Sequence, residues 1–182
     1  AVRASTLIRA ANLMLTERTK LSALIMYEAG KALNEALGDV DEAIDFLNYY
    51  AREATLFEEK NSDVEVRGPF VVISPWNFPL AIPCGMVSAA LVAGNPVVLK
   101  SAEQTPLIAQ ALTDLLHRAG VPKDVLIHLP GDGETVGDAL VRDERVAGIV
   151  FTGSKFVGQL IAHHAGQRLY RDPVTGRSSL VK

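Results

Sequence analysis

Cysteine is almost missing from this chain. Cys84 stands alone among 182 residues, which excludes an internal disulfide and fits a reducing compartment. A cytoplasmic location is therefore expected, or a mitochondrial matrix in a eukaryote. No apolar run approaches the ~18 to 20 residues of a membrane span, and no signal-peptide pattern opens the chain. An excess of positive charge is missing too. The 18 basic and 21 acidic residues leave a net charge of -3, with no basic footprint for nucleic acid. His117, His128, His163 and His164 show no metal-ligand spacing with a carboxylate or thiol, so no metal is expected. His163 and His164 instead suit the negative end of a helix dipole. Aromatic residues are few, and Trp76 is the only tryptophan. Internal repeats and low-complexity tracts are absent.

What remains is an ordinary globular composition, 48% hydrophobic and 21% charged. The length suits one domain, or one with a small appendage, and can bury a real core. The chain opens at Ala1 inside a helical pattern, as a trimmed terminus would. Residues 1–61 are expected to be helical. Leu7, Ile8, Ala11, Met14 and Leu15 recur at helical spacing, as do Leu21, Leu24 and Ile25, and Gly30 ends the run. Leu33, Leu37, Val40, Ile44, Leu47 and Ala51 form a second stripe with acids opposite. Two antiparallel helices are expected. The polar stretch 62–69 reads as a linker.

From Phe70 the pattern changes. Short strands are expected at 70–74, 96–100, 125–129 and 148–151. Helices are expected at 81–93, 106–119, 134–141 and 154–165, with Pro106 at a first helical position. Alternation with short connections implies an α/β fold: an open parallel Rossmann-like sheet with helices on both faces, preceded by the helical segment. The strands are continuous apolar runs, as expected when both faces are covered. Residues 70–167 would form this domain and 168–182 a tail, in which Asp172 to Arg177 reads as a turn or hairpin.

The polar residues gather where strands end, which is where open α/β sheets bind ligands. Ile73-Ser74-Pro75-Trp76-Asn77-Phe78-Pro79 follows the first strand. The Asn77 amide, held between bulky neighbours, can stabilise an oxyanion, although asparagine is also a common turn residue. Lys100 and Glu103 follow the second strand. An ammonium there can hold ribose hydroxyls or phosphate, and a carboxylate can accept from a 2′-OH and repel a 2′-phosphate. An equally plain reading is a solvated surface pair. Gly131-Asp132-Gly133-Glu134-Thr135-Val136-Gly137 mimics a Rossmann phosphate loop, but it follows the third strand and no ribose-binding acid trails it. Phe151-Thr152-Gly153-Ser154 opens the last helix, offering free N–H groups to an anion or simply a serine cap. The stretch from Gly148 to Lys155 nearly spells a nucleotide-triphosphate loop and fails on the order of Ser154 and Lys155. Cys84 lies among small apolar residues and reads as a buried structural thiol.

Together, Pro75-Trp76-Asn77-Phe78-Pro79, Lys100-Ser101-Ala102-Glu103-Gln104-Thr105-Pro106 and Phe151-Thr152-Gly153-Ser154 resemble the aldehyde dehydrogenase superfamily. The resemblance runs from the Arg9-Ala10-Ala11 helix to about Ala165, and Ser101 departs from the proline usual there. It implies that Asn77 donates to the thiohemiacetal oxyanion. It implies NAD as cofactor, in preference to NADP. The implied contacts are Ile73, Ser74, Pro75 and Trp76 toward the nicotinamide, Lys100 and Glu103 at the adenosine ribose, Gly133 and Gly137 beside the adenine, Phe151, Gly153 and Ser154 at the pyrophosphate turn, and Val157 under the adenine. Glu28-Ala29-Gly30-Lys31 and Gly38 to Ala51 are most similar to the Δ1-pyrroline-5-carboxylate (L-glutamate γ-semialdehyde) dehydrogenase branch. The implied reaction is oxidation of that small aldehyde to glutamate in proline catabolism, by an enzyme that is a homo-oligomer at full length. The family's nucleophilic cysteine and glutamate base lie further along than Lys182, so the chain alone is expected to be inactive. Another aldehyde dehydrogenase, a non-catalytic dinucleotide-binding module and an interaction fragment remain as alternatives.

Overall fold

The computed structural model describes residues 2–60, 65–167, 169–171, 176 and 178–180. Its helical segment contains three helices, α1 (Val2–Thr16), α2 (Arg18–Ala29) and α3 (Leu33–Lys60), rather than the two expected. The extra break falls at Glu17, which leaves helical geometry with φ -97° and ψ 11°. The Glu17 carboxylate there pairs with Arg118 and Lys20. Gly30 ends α2 as expected, in a left-handed conformation at φ 67° that only glycine adopts freely.

The remaining chain alternates as the sequence implies. It runs β1 (Phe70–Ile73), α4 (Ala81–Val92), β2 (Val97–Lys100), α5 (Pro106–Arg118), β3 (Leu126–His128), a π-helical turn (Gly133–Gly137), α6 (Asp138–Arg142), β4 (Gly148–Phe151) and α7 (Lys155–Gly166). The single helix expected over 134–141 is thus a π-turn followed by one short helix. Asp132 caps the turn, its side chain accepting from Thr135 N–H at 2.7 Å and from the Thr135 hydroxyl at 2.7 Å. The tail forms a hairpin of β5 (Leu169–Arg171) and β6 (Ser178–Leu180), with Tyr170 opposite Ser179. Residues 172–175 and 177 of the expected turn lie outside the described residues, as do 61 of the expected helical segment and 62–64 of the expected linker.

The four strands of the main sheet are parallel, in the order β3-β2-β1-β4. β1 lies inside, with Ile73 opposite Lys100 on one side and Phe151 on the other. The chain builds outward from β1 to β3, then crosses back to lay β4 on the opposite flank of β1. The crevice at which such a sheet reverses its order therefore falls between the ends of β1 and β4. Gly148 sits opposite Phe70, and a Cβ there would collide with the Phe70 ring.

The helical segment shares one core with the sheet domain. Leu7, Met14, Ile25 and Leu47 are buried in the same cluster as Leu80, Leu99, Leu112 and Leu126. The α3 stripe comprises Ala36, Asp39, Val40, Ala43, Leu47 and Ala51. It packs on α4, where Gly85 lets the Phe46 ring come within 3.1 Å of where a Cβ would stand. Among the described residues, no helix is long and apolar enough to cross a membrane.

Charged side chains of the helical segment cap both ends of α4 and α5. Ala81 N–H donates to Asp39 Oδ1 at 2.7 Å, and Leu107 and Ile108 N–H donate to the Glu28 carboxylate at 2.6 and 2.9 Å. At the opposite ends, Arg3 Nε donates to Val92 O at 2.7 Å and Arg9 Nε to Ala119 O at 2.9 Å. Acids meet N-termini and bases meet C-termini, the pairing that the helix dipole favours. Asp39 is fully buried and also pairs with Lys31 Nζ at 3.0 Å. Asp39→Ala would strand that ammonium and should cost about 3 kcal/mol. Glu28→Ala removes only a cap and should cost about 1–2 kcal/mol. Urea unfolding of both variants checks the order, and an Asp39→Ala chain no less stable than Glu28→Ala contradicts it.

Candidate functional site

Every strand of the main sheet is only three or four residues long, so its polar flank begins abruptly and all four flanks open at one edge. At the end of β1, Ser74 is buried and its N–H donates to Lys100 O at 3.1 Å. Thr152 N–H donates to Ile73 O at 3.2 Å, which ties the β4 end to the β1 end. Lys100 is only 4% exposed, yet its Nζ reaches Glu103 Oε1 at 2.8 Å. That hydrogen bond holds the Glu103 carboxyl below the usual carboxylate range, against the opposing effect of partial burial, and Gly133 adds a backbone hydrogen bond. The result is a fixed ammonium and a fixed carboxylate at one strand end.

Beside this pair lies a cleft of about 470 Å³. Of the residues expected from the sequence, Ile73, Lys100, Gly133, Gly137 and Val157 line it together. Glu103 borders it, with its Oε1 3.9 Å from where a Gly133 Cβ would stand. One wall is the apolar face of α7, where Phe156 is 70%, Val157 40% and Leu160 45% exposed. The other wall is the π-turn and α6, with Val141 at the base and Asp138 and Arg142 at the mouth, the latter two paired at 2.7 Å. Sequence reasoning missed Phe156, Leu160, Ile161 and His164. The signal was present: an apolar stripe on a helix whose described surroundings cover little of it.

Two phosphate-loop look-alikes resolve differently. The π-turn carries its own anion, since the Asp132 carboxylate already takes the Thr135 donors and is held below its ordinary range by them. A phosphate would meet that negative charge. At α7, the Ser154 hydroxyl oxygen accepts from Val157 N–H at 3.2 Å, so Ser154 caps the helix. Gly153 and Ser154 are exposed, and Phe151 is half-buried with its ring close beneath Gly153.

Trp76 and Asn77 do not line the cleft. They face a second concavity of about 460 Å³, shared with Lys31, Glu35, Glu42 and Phe78. Pro75 is half-buried between the two. Lys31 anchors this loop. Its Nζ donates to Asn77 O at 3.1 Å and lies 4.0 Å from the Phe78 ring centre while pairing with Asp39. The Cys84 thiol is fully buried, donates to Ala43 O at 3.6 Å, and burial pushes its ionisation far up. It is no thiolate nucleophile. Among the described residues, no cluster of three or more histidine, cysteine or acidic side chains could hold a metal ion.

Comparison with known proteins identifies the family and the fold. The model of the aldehyde dehydrogenase family matches residues 1–174. The bifunctional protein PutA of Klebsiella aerogenes is 50% identical over 167 residues, 92% of this chain and 13% of that protein. The 1-pyrroline-5-carboxylate dehydrogenase of Oceanobacillus iheyensis is 44% identical over 174 residues, 90% of this chain and 34% of that one. Among solved structures, a Thermus 1-pyrroline-5-carboxylate dehydrogenase with bound NAD superposes with a TM-score of 0.86 at 40% identity, covering 91% of this chain and 34% of its own. The chain thus spans a third or less of these relatives.

Lys100 and Glu103 define the electrostatics of the cleft edge. In Lys100→Met the Glu103 carboxyl should titrate closer to the ordinary value of 4.5. Carboxyl carbon NMR across pH 2 to 7 reads this directly. An unchanged Glu103 midpoint would mean that Lys100 is not what holds it down. Because the folded carboxyl titrates low, the pair's contribution to stability is present above the unfolded value and fades as pH falls through the folded one.

Proposed function

The chain belongs to the aldehyde dehydrogenase family, and from that premise we propose that it is the cofactor-binding portion of an NAD-dependent enzyme that oxidises L-glutamate γ-semialdehyde to glutamate in proline catabolism. The observation that carries the reading is the buried Lys100 ammonium, paired with Glu103 at the end of β2 and opening on a cleft with an exposed apolar wall. A dinucleotide needs these three things: a donor for ribose oxygens, an acceptor for ribose hydroxyls, and flat apolar surface for a purine. The cleft's size is in the range of small-molecule sites.

In this reading Lys100 donates to the ribose and Glu103 accepts from its 2′-OH. A 2′-phosphate would lie against the Glu103 carboxylate, so NAD is favoured over NADP. Val157 and Leu160 cover one face of the purine, and Gly133 and Gly137 leave room for the other. The free N–H groups at the start of α7, with Gly153 and Ser154, face the pyrophosphate. Ile73, Ser74, Pro75 and Trp76 border the path toward the nicotinamide, and Phe151 supports the turn from beneath. Bound NAD supplies a hydride acceptor. Asn77 donates to the oxygen of the substrate carbonyl as negative charge develops there, an interaction worth most in the transition state. Lys31 keeps the Asn77 main chain in place. Cys84 is too buried to attack a carbonyl, so the thiolate and the base are assigned to the parts of the enzyme that the relatives have beyond the matched third. The substrate is a small aldehyde, the full-length enzyme a homo-oligomer, and the location cytoplasmic.

Calorimetric titration of the chain with NAD tests the reading. Saturable binding is expected, at least about ten-fold weaker in Lys100→Ala, which corresponds to roughly 1.4 kcal/mol. NADP should bind more weakly than NAD, and Glu103→Gln should narrow the gap. A folded chain that binds neither, or that binds NAD equally well without Lys100, overturns the assignment of the cleft.

A further inference from the structure

One polar chain between α5 and the end of β3 is used by nothing described so far. Gln110 Nε2 donates to Asp114 Oδ1 at 2.9 Å. Gln110 Oε1 lies 2.9 Å from His128 Nδ1. His128 Nε2 lies 3.0 Å from Ser101 Oγ. These contacts determine one another. An ionised carboxylate only accepts, so Asp114 takes the NH₂ of Gln110 and turns its carbonyl toward the ring. Nδ1 must then carry the ring proton, which leaves Nε2 as an acceptor and makes the Ser101 hydroxyl its donor. Ser101 is 1% exposed, and a buried hydroxyl pays for a lost partner.

The position of Ser101 gives the chain its meaning. It follows Lys100 and lies inside the segment that the Lys100–Glu103 pair spans. We propose that Asp114, Gln110, His128 and Ser101 form a positioning relay for the cofactor cleft, in which neutral His128 holds Ser101 and through it the Lys100–Glu103 pair, so that dinucleotide affinity falls when His128 gains a proton. This rests on the NAD reading of the cleft. A protonated ring would present a donor at Nε2, and the Ser101 hydrogen would have to leave for another acceptor.

The charged surroundings of the ring are simple. From α5, Asp114 favours the protonated form, but burial outweighs it and lowers the His128 titration. His117 and Arg118 lie at the far end of α5, where His117 meets Val121 O and Arg118 pairs with Glu17. From the β2 side the charges are Lys100 and Glu103, which pair with each other. Because the folded histidine titrates low, the unfolded chain binds the proton more readily. The relay is complete above the ordinary value of 6.5 and is lost as pH falls through the lowered one.

The test uses isotope-labelled full chain between pH 4.5 and 8. Nitrogen shifts of the His128 ring report its tautomer and midpoint, amide shifts of Lys100 and Glu103 report the clamp, and calorimetry reports NAD affinity. The expected result is an Nδ1–H tautomer, Lys100 and Glu103 amides that move with the His128 midpoint, and NAD affinity that drops about three-fold or more across it. In Ser101→Ala the ring should still titrate while the amides no longer follow. In His128→Gln the affinity step should vanish. Amides that ignore His128 in the native chain overturn the relay, whether or not NAD binds. Amides that follow it in a chain that binds no NAD at any pH overturn the cofactor reading, and the affinity claim with it.

Discussion

Asp39 is a carboxylate with no exposed side-chain surface, and both of its oxygens are committed. One holds the first N–H of α4 and the other holds Lys31. Removing such a charge from water is costly unless every lone pair finds a partner. The surrounding packing gives each oxygen a donor. Lys31 in turn grips the carbonyl of Asn77 and the face of Phe78. The loop after β1 is therefore fixed from the helical segment, and the helical segment from α4. The main core is shared by both regions. That is why the chain reads as two regions in sequence and folds as one body.

The sheet order decides where chemistry can occur. β1 has β2 on one side and β4 on the other, so the crossovers diverge at its end. Divergence leaves a crevice that no connecting loop fills. Lys100 stands on one bank and the α7 wall on the other. The second concavity, around Trp76 and Asn77, opens on the helical segment instead. The cleft beside Lys100 and the proposed oxyanion donor thus lie in separate hollows, with Pro75 between them.

Much of this was legible in the residues. Strands of Val, Ile and Leu ended by polar turns located the sheet, and five of the expected residues line one cleft, Ile73 and Lys100 from strand ends and Gly133, Gly137 and Val157 from the segments after β3 and β4. The single helix expected over 134–141 missed the π-helical turn at Gly133–Gly137, of which the apolar period gives no sign. The single first helix was misread because nothing in the apolar period marks Glu17. The caps from Arg3, Arg9, Glu28 and Asp39 were invisible for a different reason. They join residues 42 to 110 positions apart, and no local pattern encodes such pairings. The exposed face of α7 carries the same period as a core helix, so periodicity alone could not tell a cleft wall from a core.

The caps supplied from outside have one more consequence. Neither α4 nor α5 receives a side-chain hydrogen bond from its own N-cap residue. Their first N–H groups are instead met by Asp39 and Glu28, residues made earlier in synthesis. During translation α1, α2 and α3 are made before α4 and α5, so the side chains that cap those helices are already present when they appear. α4 and α5 then emerge into partners already present, so the order of synthesis matches the order in which these helices can become stable. A circularly permuted chain that delivered α4 and α5 first would leave the N–H groups of Ala81, Leu107 and Ile108 without these carboxylates until the helical segment followed, and would be exposed to aggregation for that interval.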